Sequence, residues 1–296
     1  MTPVLLSIAV LLLAAKAGGE FAERILKQPA VLGELIGGML AAPFLALYVD
    51  PKFASEPRLA FVAEMAAVVL LFKAGLETDV KAFIRAGPAA FAVAMAGVIL
   101  PFIAGAWLTS AFGFAASPGD PKALFVGAAL TATSVGITAR VLGDLGALSS
   151  RAGTWVLAAA VIDDVLGILV VALLGRQTGG AGGATLEMAG RAGLALGGWI
   201  LLTAGCIFAA PILDRLPRRI SPSAGLAANV AVAFLAAAAA DAIGLAPIIG
   251  AYAAGLGFAG RHVAKTMDRE IAGVAQFLVP LFFASVGAQV DLGSFG

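Results

Sequence analysis

The chain has 296 residues, 61% of them hydrophobic and only 12% charged, with a mean hydropathy of +1.01, whereas soluble domains carry roughly 25% charged residues. That excludes an ordinary soluble globular domain; a net charge of +1 leaves no basic excess for a nucleic-acid partner, and the single cysteine, Cys206, excludes an internal disulfide or a thiolate metal site. Apolar stretches of about 20 residues recur throughout, each long enough to cross ~30 Å of hydrocarbon as a helix, so an all-α polytopic membrane protein in contact with lipid is expected.

Apolar windows bounded by Gly, Pro and charge clusters predict ten spans, at 2–19, 29–48, 59–77, 87–112, 122–142, 152–175, 189–212, 224–243, 246–260 and 271–291. The first follows Met1-Thr2-Pro3-Val4 with no basic residue ahead of it, so it reads as a retained span rather than a cleaved signal. The second and third carry Glu34 and Glu64, expected to line or brace a cytoplasmic funnel. Lys73 lies one turn before Glu77; it either snorkels toward the membrane face or neutralises an intramembrane acid such as Asp163 or Glu34. In the fifth span, Thr131-Ala132-Thr133-Ser134-Val135-Gly136 gathers poor helix formers near mid-membrane. These hydroxyls either bond back to their own helix or tie it to a neighbour, or the helix breaks here to line a cavity, where its free carbonyls and dipole ends serve ions. Arg140 closes that span as an orientation signal. The sixth span holds Asp163 and Asp164 at its centre, 176–187 reads as a Gly-rich linker, and the ninth span is short for a full crossing. His262, the only histidine, reads as a solvated loop residue.

Lysine and arginine fall unevenly between the connections. Thirteen, from Lys16 to Arg269, lie in odd-numbered connections and five, Lys52, Arg58, Lys122, Arg176 and Arg191, in even-numbered ones. The positive-inside rule then puts the odd connections in the cytoplasm and the N-terminus outside. A partial repeat accompanies this pattern. Val31-Leu32-Gly33 with Gly38 matches Ile248-Ile249-Gly250 with Gly255, and Gly75 with Asp79 matches Gly287 with Asp291. An odd number of spans separates the partners, so the copies have opposite orientation, as in many secondary transporters.

A carboxylate at bilayer depth is costly and marks a wet cavity, a partner or a function. Two adjacent ones, Asp163 and Asp164, cannot both stay ionised cheaply. Neighbours on a helix point about 100° apart, so one can meet a cation while the other pairs elsewhere. A site poised between a proton and a cation is the minimum machinery of a cation/proton antiporter. An intramembrane aspartyl protease also needs two carboxylates, but places them on different helices, one within Gly-x-Gly-Asp; Leu142-Gly143-Asp144 lacks the first glycine.

Taken together, the residues resemble the monovalent cation/proton antiporter superfamily, in particular its NapA-like sodium/proton antiporters and the related glutathione-gated potassium-efflux type. The resemblance runs through Gln28-Pro29-Ala30-Val31-Leu32-Gly33-Glu34, Ala74-Gly75-Leu76-Glu77-Thr78, the Thr131 to Arg140 run, Asp163-Asp164, Gly244-Leu245-Ala246-Pro247-Ile248-Ile249-Gly250-Ala251 and Leu281-Phe282-Phe283-Ala284-Ser285-Val286-Gly287. It implies exchange of sodium, with lithium or potassium as alternatives, for protons by alternating access. It further implies Asp164 as principal carboxylate for cation and proton, Asp163 assisting, and Thr131, Thr133 and Ser134 at an unwound crossing. No cofactor is implied beyond the transported cation and protons. A homodimer through the first span is implied, and the Asp-Asp pair implies electrogenic exchange. Such antiporters have 12 or 13 spans. Three helices are therefore expected to be missing, one bearing a lysine partner for Asp163, and a non-transporting fragment or subunit is the alternative reading.

Overall fold

A computed structural model of the chain describes residues 2–177, 197–211, 224–261 and 264–290, with 190, 193 and 194 besides. Of the predicted linker at 176–187, the first two residues are the end of a helix that runs to Gln177 and the rest, with His262 and Asp291, lie outside the described residues. All regular structure among the described residues is helical.

Helix α1 (Thr2–Phe21) widens into a π turn at Ala22–Leu26, which Lys27 ends in a left-handed conformation, φ 53°. Pro29 then starts α2 (Ala30–Tyr48). Helix α3 (Pro57–Glu77) has proline in its first turn, where the missing N–H costs nothing. It stops at Thr78, whose hydroxyl donates to the Ala74 carbonyl at 2.8 Å.

Helix α4 (Val80–Ala111) begins seven residues before the window at 87–112, because Asp79 caps it by accepting from the N–H groups of Lys81 and Ala82. Its 32 residues rise about 48 Å. Hydropathy stops at Lys81 and Arg85, whereas the hydrogen-bond ladder does not. The same holds for the last helix, which starts at Ala264 rather than 271.

The fifth window, 122–142, is two helices, α5 (Pro121–Ala129) and α6 (Val135–Asp144). Then follow α7 (Arg151–Gln177), α8 (Gly197–Pro211), α9 (Ala224–Ala242), α10 (Pro247–Phe258) and α11 (Ala264–Ala288). Among the described residues, five helices are long and apolar enough to cross a membrane: Pro3–Leu26, Ala30–Tyr48, Pro57–Glu77, Val80–Ala111 and Ala264–Ala288. Large apolar side chains such as Leu13, Leu47, Phe61, Leu100, Trp107 and Phe125 are exposed on the outside, as lipid contact requires. The chain is a polytopic helical membrane protein.

Between helices in lipid, close packing of small residues replaces the hydrophobic drive. At the α3–α10 crossing a Cβ on Gly255 would lie 2.2 Å from the Phe72 carbonyl oxygen, and one on Gly75 2.5 Å from that of Tyr252. The α1–α2 crossing is as tight, with Gly18 and Gly33 backbone to backbone. These contacts gather α1, α2, α3, α9, α10 and α11 into one group, with α8 against α10 through the Trp199 indole, which donates to the Ile249 carbonyl at 3.4 Å. Helices α4, α5 and α7 form a second group. Helix α6 lies on α7 but also against α3 and α2, so the two groups meet there. Phe83 at the start of α4 adds ring contacts to Tyr252 and Trp199.

Candidate functional site

The break between α5 and α6 is held open by its own side chains. Thr131 donates its hydroxyl to the Ala128 carbonyl at 2.8 Å, closing α5, and Ser134 accepts from the Ile137 N–H at 3.2 Å, opening α6. Between them Thr133 donates to the Thr131 carbonyl at 3.3 Å. The ends that meet here are the carbonyl end of α5 and the N–H end of α6, so partial charges of opposite sign face one small region. Phe282 of α11 packs over Gly136 at the first turn of α6, where a Cβ would sit 3.6 Å from its ring.

Asp163, on α7, is 8% exposed. Its carboxylate lies beside Thr133 of the unwound segment, near that residue's hydroxyl and backbone N–H. A buried carboxylate therefore sits against the unwound segment, whose polar groups are of the kind a buried charge needs. Thr133 and Ser134 are exposed and Thr131 is buried. Asp164 follows on the same helix; its side chain is outside what the structure describes. Among the described residues, no three His, Cys, Asp or Glu side chains group as a metal site.

A second polar region lies at the far end of α6. Arg140 donates to Glu34 at 3.2 Å and lies 3.2 Å from Asp144. Lys73 pairs with Glu77 one turn along α3 and with Asp268 of α11 at 3.0 Å. A cavity of about 260 Å³ opens between these groups, lined by Lys73, Glu77, Arg140, Asp144 and Gln276 among others.

Lys73 therefore neutralises Glu77 and Asp268, and neither Asp163 nor Glu34. Glu64 is exposed and precedes Glu77 by thirteen residues on α3, about 20 Å along the helix, so it does not join this cavity. Glu34 does reach it through Arg140, which is an interhelical ligand as well as a terminal charge. Sequence reasoning missed Asp268 and Asp144. The first lies outside the apolar window and pairs with a residue 195 positions away; only its place at the polar turn of an extended α11 hinted at it. The second was visible as the i+4 neighbour of Arg140, a spacing that favours ion pairs on a helix.

Comparison with known proteins gives consistent relatives. A family model described as "Sodium/hydrogen exchanger, transmembrane" matches residues 8–296. The chain is 36% identical to the high-affinity Na(+)/H(+) antiporter NhaS3 of Synechocystis, over 98% of this chain and 68% of that one. It is 32% identical to the probable Na(+)/H(+) antiporter GerT of Bacillus cereus, over 98% and 74% of the two chains. With the Na(+)/H(+)-K(+) antiporter GerN of the same organism the identity is 31%, over 98% and 72%.

Proposed function

The chain belongs to the sodium/hydrogen exchanger family, a family of transporters rather than enzymes, and on that premise we propose that it exchanges a monovalent cation, sodium first, for protons through the Asp163-Asp164 pair by alternating access. The observation that carries the reading is the seat of the buried Asp163 beside Thr133 on the unwound Thr131–Ser134 segment. A cation arriving there meets a carboxylate, the carbonyl end of α5 and three hydroxyls. A proton arriving instead neutralises the same carboxylate, so the two ligands compete. Asp164 is the principal site in this reading and Asp163 the positioning partner. The end bearing Lys73 and Arg140 faces the cytoplasm, following the bias of basic residues.

An inverted repeat underlies the exchange, and the helix crossings support it residue by residue. Superposing Gly38 on Gly255 and Gly75 on Gly287 predicts which carbonyl each glycine meets. Gly38 meets Ala284 and Gly255 meets Phe72; Gly287 meets Leu35 and Gly75 meets Tyr252. Each pair of contacts is one contact seen twice, since Phe72 and Ala284 lie three residues before their glycines and Leu35 and Tyr252 three before theirs. Gly33 against Gly18 and Gly250 against Ala236 extend the match to α1 and α9. The exposed face of α1 is the surface for a second copy.

The test is sodium-induced dissipation of a proton gradient in inside-out vesicles carrying the protein, beside Asp164→Asn. The reading predicts a signal in the wild type that the variant loses. A wild-type signal that survives in the variant overturns the site assignment.

A further inference from the structure

The two helix groups of the fold share few polar contacts. Lys73, Glu77 and Asp268 pair within the first group, on α3 and α11. Arg140 and Asp144 pair within α6. Helix α6 continues α5 through the Thr131–Ser134 segment and lies on α7, so it goes with the second group, and among the described residues one ion pair joins it to the first, Arg140 of α6 to Glu34 of α2. It sits at the junction where α6 lies against α2 and α3.

Burial makes this pair different from a surface bridge. Glu34 is 2% exposed and its side chain packs over Gly19 of α1, where a Cβ would come within 3.4 Å of its Cγ. Its Oε1 accepts from Arg140, while its Oε2 is buried with no hydrogen-bond partner. Separation of the groups has unequal consequences for the two charges. Arg140 keeps Asp144, which travels on the same helix, whereas Glu34 is left as a buried carboxylate with no ion-pair partner, the charge of Lys16 on α1 reaching it only from a distance. Breaking a buried pair from one side is strongly unfavourable for that reason.

We propose that Glu34 and Arg140 form a latch between the two helix groups, a pair of positioning residues that holds α6, and with it the Thr131–Ser134 break, in the arrangement whose cavity opens beside Lys73 and Arg140. The inference rests on the alternating-access reading, because a latch matters only if the groups move. It assigns the strength of the latch to the Glu34 charge: Glu34→Gln removes the orphan carboxylate and frees the other arrangement, while the Lys73 pairs, internal to one group, leave the equilibrium unchanged.

The experiment reads conformation rather than transport. In a Cys206→Ser background with Gly143→Cys as reporter on the cavity wall, the protein in proteoliposomes is alkylated by a membrane-impermeant maleimide from the cavity side. Glu34→Gln is expected to slow labelling roughly fivefold or more, the range of an ordinary coupling between two states, and Arg140→Lys to stay near the parent rate. The double variant Glu34→Gln/Arg140→Gln, which removes both charges of the pair and leaves only the part-exposed Asp144 without its partner, must behave like Glu34→Gln and covers misfolding of the single variant. Unchanged or faster labelling in both Glu34 variants overturns the latch. Labelling needs no ion flux, so a wild type that moves no protons refutes the antiport reading and leaves the latch result standing.

Discussion

Gly255→Ala is predicted to weaken the fold, with a magnitude that follows from the α3–α10 crossing. The new methyl carbon would stand 2.2 Å from the Phe72 carbonyl oxygen, 2.8 Å from Gly75 Cα and 2.9 Å from Leu76 N. All three are backbone atoms, so no side chain can rotate out of the way. Restoring an ordinary contact of about 3.4 Å requires the helices to part by about 1 Å, and a gap of that size forfeits a quarter to a half of each facing dispersion contact. Overpacking of this kind costs about 3 kcal/mol, against which alanine returns about 1 kcal/mol of helix propensity. The net loss is about 2 kcal/mol. The assay is the thermal unfolding midpoint in detergent, with Gly97→Ala on α4 as control, since a Cβ there meets nothing within 4 Å. Gly97→Ala is expected to be neutral or slightly stabilising and Gly255→Ala to fall several degrees below the parent. Equal midpoints for the two variants would falsify the packing account of this crossing.

Other perturbations test separate parts of the structure. Thr133→Val removes the hydroxyl that lies beside Asp163 and is expected to raise the KM for the driving cation about tenfold, by taking about 1–2 kcal/mol of polar stabilisation from a charged site; initial rates of cation-induced proton movement read it, and an unchanged KM excludes a role for that hydroxyl. Tyr252→Phe removes the 3.2 Å contact to Thr78 in the core and costs about 1 kcal/mol, no more, because Thr78 keeps its bond to Ala74; unfolding in denaturant measures it. Lys73→Met breaks two ion pairs, but the three side chains are about a third exposed, so a loss of no more than about 1 kcal/mol is expected, shrinking further in high salt; a larger, salt-independent loss contradicts the solvated picture of that end.

The sequence was most informative where composition breaks a strong pattern. Three hydroxyl residues in four positions within an apolar stretch marked the α5–α6 interruption, and the carboxylates of an otherwise apolar sixth span pointed to α7. Both signals are local, because each sets a disfavoured residue against its immediate surroundings. The ends of α4 and α11 were not legible from hydropathy, since a capped helix continues through Lys81, Arg85 and Asp268 regardless of their charge. Partners were less legible still. Lys73 had Glu77 one turn along its own helix but carried no mark of its second acid, Asp268 on α11, and Glu34 none of its bond to Arg140, 106 residues away. The glycine offsets could be read as a repeat, yet which carbonyl each glycine meets needs the packed helices.

The most direct measurement is proton release on cation binding. Purified protein in weakly buffered detergent, titrated with sodium, lithium or potassium, is expected to release protons in proportion to the cation bound, and Asp164→Asn is expected to abolish the release. Cation binding without proton release in the wild type, or release that persists in Asp164→Asn, contradicts a carboxylate site shared by the two ions.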